Sequence, residues 1–465
     1  MTELFIWLAF LAVWYAILIP TNGLGINVIL LIAPLICFLV YTLKINKKIK
    51  NKYGLLFIIP IVILSLNYVL LNIPVFKILN ILVIPILFTL MYVYTIKPTY
   101  NLNDLLTKII LLFMEPFSCI SKVINLLIGN KNKPKKKSKD YLSFLIIIPV
   151  VLVVIFLLAS ADAEFSGIFT NLFDRITLPK LSENFFNILF RIIVGIIFFL
   201  YLSAVTNYLI FNFQNKKEEN NKILKISSDA LKILLAVLNI IYVVFDVIQI
   251  KSLILHQTSM DITYAEYARQ GFFQLMLVSA INIVVILLTK SNETKKDTTY
   301  NKAMCITMIL LTLIIIISSF IRMNMYESAY GCTMLRVLVY ISLIVEIILL
   351  IPTIIYILNK KINILKYYLI ILVSSYSFIN LLPLNNIIAE RNINRYYNNH
   401  RLDVDYLKEL DCYPKLIELH DKTQDSGLKT QLELYIKVYQ VDNNIFEFNL
   451  SDYINEQKVE EFKNR

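Results

Sequence analysis

Residues 4–43 carry no charged side chain, and apolar stretches of roughly 17 to 25 residues follow one another along most of the chain. In lipid a backbone must satisfy its own N–H and C=O groups, which leaves helices or closed barrels. Barrel strands would alternate every second residue, and these stretches do not. The expectation is an all-α fold, a polytopic transmembrane helical bundle of about eleven spans. Composition agrees, with 58% hydrophobic residues against 17% charged, far from the balance of a soluble domain.

Taken in order, turn residues at 20–25 split the first stretch into two spans, and 53–71 and 78–96 make a second hairpin about Asn72-Ile-Pro74. Residues 97–140 hold an amphipathic helix, 102–128, and the basic run 131–139. Further spans are expected at 141–159, 185–210, 228–250, 271–289, 303–321, 333–358 and 367–384. Region by region, this gives a four-span part (1–96), a cytoplasmic amphipathic and basic linker (97–140), a seven-span core (141–384) and a helical extracytoplasmic appendage (385–465). In that appendage, helices are expected over 402–419, 428–439 and 453–462, the last capped by Ser451. The first span has no basic leader and no small-residue cleavage site, as expected of a retained anchor.

The net charge of +12 would point to nucleic acid in a soluble protein. Here the bases fall in short connections, so they read as topology signals and no nucleic-acid partner is expected. With the N-terminus inside, connections 44–52, 97–140, 214–225, 290–302 and 359–366 become cytoplasmic, and the acid-rich 385–465 lies outside. The expected surroundings are the lipid bilayer of the cell membrane. Anionic lipid is a possible ligand of 131–139, although orientation alone explains that run. The five cysteines show no CxxC or His-paired spacing, and His256 has no Glu or His at metal spacing, so neither metal nor cofactor is expected. Nothing in the sequence names a protein partner.

Polar residues where lipid should be are the candidate site. The densest cluster, Arg322, Tyr326, Glu327, Tyr330 and Arg336, lies where the ninth span turns into the tenth. Asp162 and Glu164 follow the fifth span; in extended chain they share a face and could ligate a cation or work as acid and base, while at a helix start they would be caps. Asn239, Tyr242 and Asp246 share one helix face, and Gln270, Gln274 and Asn282 make a similar stripe. Arg191 and Arg336 either line a cavity or snorkel to headgroups. Glu346, mid-span, must be protonated or paired, and no second acid or base stands at an obviously matching depth. Tyr264, Tyr267 and Arg269 read as an aromatic belt with a basic anchor.

Several strings carry a family resemblance: LLASADAEF (157–165), YARQGFF (267–273), SFIRM (319–323), YGCTMLR (330–336), Asn394-Arg395 and FNLS (448–451). Together they resemble bacterial multi-pass membrane proteins grouped as domain of unknown function 4173, related to the 4153 group. The resemblance implies no activity. It marks Asp162, Arg269, Arg322, Tyr330 and Arg336 without a role, and none of its motifs includes Glu346.

No nucleotide, metal or nucleophile motif assigns a catalytic residue. The leading expectation is therefore non-enzymatic: a small anionic or amphiphilic ligand bound or moved through an outward-facing polar cavity, with Arg269, Arg322 and Arg336 as charge partners held by Asp162 and Glu327. The alternatives are a membrane enzyme acting on a lipid-linked substrate at the outer face, with Asp162 or Glu164 as base or ligand, and a membrane scaffold or sensor.

Overall fold

The computed structural model describes residues 2–18, 23–46, 48–96, 183–207, 228–254, 272–291, 298–400, 402–440 and 447–465. They are predominantly helical, with no strand among the described residues. Five helical stretches, Ile26–Ile45, Lys52–Leu70, Pro74–Ile96, Thr299–Tyr330 and Met334–Leu358, are long and apolar enough to cross a membrane. A sixth arises if Ile364–Ile379 and Leu384–Asn399, bent by 64°, count as one span. The described residues thus carry five or six candidate spans of the eleven expected. The expected span 141–159, the helix 102–128 and the basic run 131–139 lie outside them.

The chain divides into two units, Met1–Ile58 with Ile84–Asn221, and Ile59–Val83 with Lys222–Arg465. In the first, α1 (Thr2–Leu18) lies against α2 (Ile26–Ile45) and α5 (Glu183–Asn207). Leu8, Leu11 and Phe38 pack with Phe199 and Leu202, the Tyr15 and Phe198 rings stack at 3.9 Å, and Trp14 Nε1 donates to the Leu30 carbonyl at 2.8 Å. Such aromatic and hydrogen-bonded contacts matter in lipid, where helix association gains little from burying apolar surface. A short 3-10 helix, Lys52–Phe57, closes on the far end of α4 (Pro74–Ile96): the Lys50 and Asn51 amides donate to the Thr95 carbonyl at 3.1 and 2.9 Å, and Asn51 Nδ2 to that of Tyr94 at 2.9 Å. Gly54 permits this closure, because a Cβ there would run into the Thr95 backbone.

In the second unit, α6 (Ser228–Ile254), α7 (Phe272–Ser291), α8 (Thr298–Tyr330) and α9 (Met334–Leu358) surround an aliphatic interior of Leu235, Ile286, Met308, Ile315 and Leu343. Short connections make α7/α8 and α8/α9 antiparallel pairs. Asn239 meets Met304 while Tyr242 reaches the level of Thr312 through Asn282, so α6 runs parallel to α8.

Beyond α9 come α10 (Ile364–Ile379), α11 (Leu384–Asn399), α12 (Val404–Glu409), α13 (Tyr413–Lys422), α14 (Ser426–Val438) and α15 (Leu450–Lys463). The expected span 367–384 is instead α10, broken before Pro383 and turned into the more polar α11. The expected helix 402–419 is two pieces, parted where Asp411 takes a left-handed φ of 51°. Their apolar faces share one core around Leu407, Leu416, Leu432 and Ile436. The cap of α15 is Asn449 rather than the expected Ser451: its Oδ1 accepts from the Ser451 amide at 2.8 Å, while its Nδ2 donates to the carbonyls of Tyr68 (2.8 Å) and Leu71 (3.0 Å), at the end of α3 (Ile58–Leu70). A serine hydroxyl has one hydrogen and cannot bind both carbonyls.

Three asparagines tie α3, α4 and α10 together inside the second unit. Asn67 donates to the Asn380 carbonyl (2.7 Å), Asn80 to Asn380 Oδ1 (2.8 Å), and the Tyr376 hydroxyl to Asn80 Oδ1 (2.8 Å).

Replacing Gly54 by alanine should destabilise the protein by about 1–3 kcal/mol, because the obstacle is backbone and cannot swing aside. Gly195, whose added Cβ would meet the Ala16 methyl at 3.0 Å and the Ala12 carbonyl oxygen at an ordinary 3.5 Å, should accept alanine at smaller cost. Thermal melting of the two purified variants checks the order; equal melting temperatures would contradict it.

Candidate functional site

The sequence motif 319–336 is not a loop with two flanking spans. Helix α8 continues through Tyr330, so Arg322, Tyr326, Glu327 and Tyr330 occupy its last turns, and the reversal into α9 takes only Gly331, Cys332 and Thr333. Gly331 has φ +89°, a conformation glycine enters without penalty. So tight a reversal leaves carbonyls at the end of α8 without helical partners, and side chains meet them. Arg395 donates to the carbonyls of Ser328 (3.2 Å) and Ala329 (2.6 Å), and Arg336 to that of Gly331. Asn392 spans the turn, accepting from the Cys332 amide and donating to the Cys332 carbonyl, both at 2.8 Å.

The remaining members of the cluster are also engaged with protein. The Arg336 guanidinium lies 4.1 Å from the Tyr326 ring centroid, a cation–π contact, and Tyr326 and Tyr330 are in ring contact at 5.0 Å. Glu327 pairs with Arg391 at 3.1 Å across a half-exposed site, where such a pair contributes about 0–1 kcal/mol. The Tyr406 hydroxyl accepts from the Met334 amide at 2.8 Å, so α12 helps to start α9. Arg336, Glu327, Tyr326 and Tyr330 therefore lie together around the α8–α9 turn, with Glu327 paired to Arg391 rather than to Arg322 or Arg336. Arg391, Asn392 and Arg395 were not foreseen as members. Only Asn394-Arg395, in the family resemblance, hinted at them.

Farther into α6–α9 runs a seam of buried polar groups. The Tyr242 hydroxyl donates to Asn282 Oδ1 (2.7 Å), Asn282 Nδ2 to Thr312 Oγ1 (3.0 Å), and Thr312 Oγ1 to the Met308 carbonyl (2.7 Å), a chain in which every donor has an acceptor. On one side of it, Asn239 Nδ2 donates to the Met304 carbonyl at 3.1 Å. On the other, Ser279 of α7 bonds Glu346 of α9, and Ser342 of α9 reaches Met276 Sδ at 2.9 Å. Arg322 lies nearer the α8–α9 turn, only 6% exposed. The stripe of Asn239, Tyr242 and Asp246 thus faces the interior, as does Asn282. Ser279 and Thr312 were missed, because single hydroxyls in apolar helices commonly bond their own backbone.

Arg191 stands elsewhere, in the first unit, where its Nη1 donates to the Ile17 carbonyl at 2.8 Å. There it serves as a cationic cap on α1, favoured by the helix dipole. Asp162, Glu164, Arg269, Gln270, His256, Tyr264 and Tyr267 fall outside the described residues. Among the described residues, no group of three or more His, Cys, Asp or Glu is placed to hold a metal ion. Cys332 and Cys412 are free thiols. Burial pushes the first up to about 11, with Glu327 adding to it, and the second up to about 12, with Asp411 adding.

The described part is thus an all-helical protein of membrane type, with buried polar groups inside its apolar helices. The family model described as "Domain of unknown function (DUF4153)" matches residues 58–419, and the chain belongs to that family. The match takes in both the seam and the α8–α9 turn. No curated protein and no solved structure matches the chain.

Two outcomes follow. Gly331→Ala should cost about 1–3 kcal/mol, since the left-handed φ strains alanine and its Cβ would come within 2.8 Å of Asn392 Oδ1. Limited proteolysis near residue 331 should then speed up; unchanged cleavage would contradict the account. Second, because thiolate is the reactive form, Cys332 and Cys412 should resist iodoacetamide at pH 8 in the folded protein and react once it is unfolded, as followed by mass spectrometry.

Proposed function

We propose that the chain is a multi-pass protein of a bacterial cell membrane, in the 4173 branch of its family, that binds or translocates a small anionic or amphiphilic ligand through a polar cavity opening outward. The proposal keeps about eleven spans, a cytoplasmic N-terminus and a helical region beyond residue 384 outside the cytoplasm. Its boundaries are a four-span part to residue 96, a linker to 140 and a seven-span core to 384. The carrying observation is the file of buried polar side chains along α6–α9, from Asn301 at one end through Thr312 to Arg322 at the other, within helices otherwise aliphatic. Polar groups inside spans cost free energy, and where they recur they commonly line the route of a substrate or ion.

Charge distribution supports the orientation. Lys290, Lys302, Lys360, Lys361 and Lys366 gather at the end of α7–α10 away from the α8–α9 turn, whereas α11 and α12 bond to residues of that turn. Bases at one end and the acid-rich helices at the other fit the positive-inside rule. Arg322, buried at the α8–α9 end of the polar file, is the arginine placed on that file for a ligand's anionic group, whereas Arg336 belongs to the turn, with Gly331 and Tyr326. No observation favours the enzyme or scaffold readings above this one.

A membrane-impermeant maleimide applied to intact cells should label a cysteine introduced at exposed Glu418, and label one at Lys360 only after permeabilisation. The reverse pattern would refute the orientation. For the ligand, dodecyl phosphate added to the purified full chain should raise its melting temperature, as a ligand of the folded state must, and raise that of Arg322→Gln less. An equal effect on both proteins, or none, would refute an anion site at Arg322.

A further inference from the structure

Two carboxylic acids stand inside the α6–α9 group, and the hairpin cluster uses neither. Asp246 is 3% exposed and Glu346 8%. Neither oxygen of Asp246 has a hydrogen-bond partner among the described residues. Their levels follow from helix geometry. Asp246 lies four residues past Tyr242 on α6, and Ser279 lies three residues before Asn282 on α7, which runs the opposite way to α6. At about 1.5 Å per residue, these displacements are roughly 6 and 4.5 Å in the same direction from the Tyr242–Asn282 bond. Asp246 therefore shares its level with Ser279, and so with Glu346, which Ser279 bonds. This supplies the second acid at matching depth that sequence reading did not find.

The bonding at Ser279 bears on which form of Glu346 is present. Its hydroxyl contacts both the Met276 carbonyl, at 2.8 Å, and Glu346 Oε2. A hydroxyl owns one hydrogen. Both contacts are hydrogen bonds if Ser279 shares its hydrogen between the two acceptors, or if Ser279 donates to the Met276 carbonyl and a protonated Glu346 donates to Ser279 Oγ. The second arrangement gives each contact its own hydrogen and removes a charge from an apolar interior. For Asp246, a charged form with no donor in an apolar interior would be very costly, and the neutral acid avoids most of that cost.

Charged and titratable groups on the packed elements do not alter this. On α8 the nearest cation along the seam is Arg322; it lies ten residues past Thr312 on the same side as the two acids, hence about 9–10 Å along the axis from their level, and it has interactions of its own. On α7 the cation is Lys290, likewise engaged, at the far end of that helix. On α6 itself Tyr242 is committed to Asn282. Glu346 is the group on α9 at this level.

The geometry points to Asp246 and Glu346 as two proton-binding carboxyls at one level of the seam: the ligand of each is the proton, held at neutral pH and released to water along the polar file. Binding forms one O–H bond per carboxylate, with the proton supplied by solvent. The site is separate from the anion site proposed at Arg322 and stands without it.

Infrared spectroscopy of the full chain in phosphatidylcholine and phosphatidylglycerol vesicles tests this through the C=O stretch of protonated carboxyls. At pH 7 two components are expected, one lost in Asp246→Asn, the other in Glu346→Gln, and both shifted by exchange into D2O. Raising the pH should remove both components, each at the pH where its own carboxyl ionises. If Asp246→Asn does not fold, 13C-aspartate labelling of the unaltered chain shifts the same component. Overturning results are an acid signal that neither variant changes, no shift in D2O, or an Asp246 component that appears only when sodium is withdrawn, which would make Asp246 a cation ligand instead.

Discussion

A polar atom in the apolar interior of this helix group is costly unless it is met by a partner, on its own backbone or on another helix. That requirement governs most of what is specific in the structure. Aliphatic side chains fill α6–α9, but they pack equally well in several registers against lipid or one another. The directional contacts select one register: Tyr242 to Asn282 to Thr312, Ser279 to Glu346, and the asparagines 67, 80 and 380 that join α3, α4 and α10. Each contributes about 0.6–2 kcal/mol in a membrane setting, modest singly and sufficient together to distinguish one packing from its neighbours.

The α8–α9 turn applies the same rule where a helix ends. A three-residue reversal through Gly331 exposes carbonyls, and Arg395, Arg336 and Asn392 meet them. Two of these come from α11, outside the two helices joined. The helices after residue 384 are thereby tied to the turn, and through Asn449 and Asn385 to the end of α3 as well. Arg336, expected from the sequence to be a ligand's charge partner, instead helps Arg395 to finish the backbone bonding of a hairpin.

The sequence made the helices readable because lipid imposes length: a stretch either is apolar for some twenty residues or is not. Hence the α3–α4 hairpin, α8 and α9 appear near their expected places. Boundaries were less legible. Helix α8 runs nine residues beyond the expected Ile321, because Arg322, Asn324 and Glu327 look like a chain leaving the membrane whereas they are satisfied within a continuing helix and by its neighbours. The break at Pro383 and the left-handed Asp411 depend on tertiary fit that periodicity cannot register. Of the site, the inward face of Asn239, Tyr242 and Asp246 was legible from spacing alone. The level shared by Asp246 and Glu346 was not, since it requires knowing which way each helix runs and where Ser279 and Thr312 sit across from them.

The central claim is that directional bonds between helices, rather than apolar packing alone, fix this arrangement. A double-mutant cycle between Tyr242→Phe and Asn282→Leu, with unfolding measured in bicelles by steric trapping, tests it most directly, since each change removes the bond while keeping most of the side-chain volume. The account predicts a favourable coupling of about 0.6–2 kcal/mol. A coupling indistinguishable from zero would mean that the helices hold their register without that bond, and would contradict it.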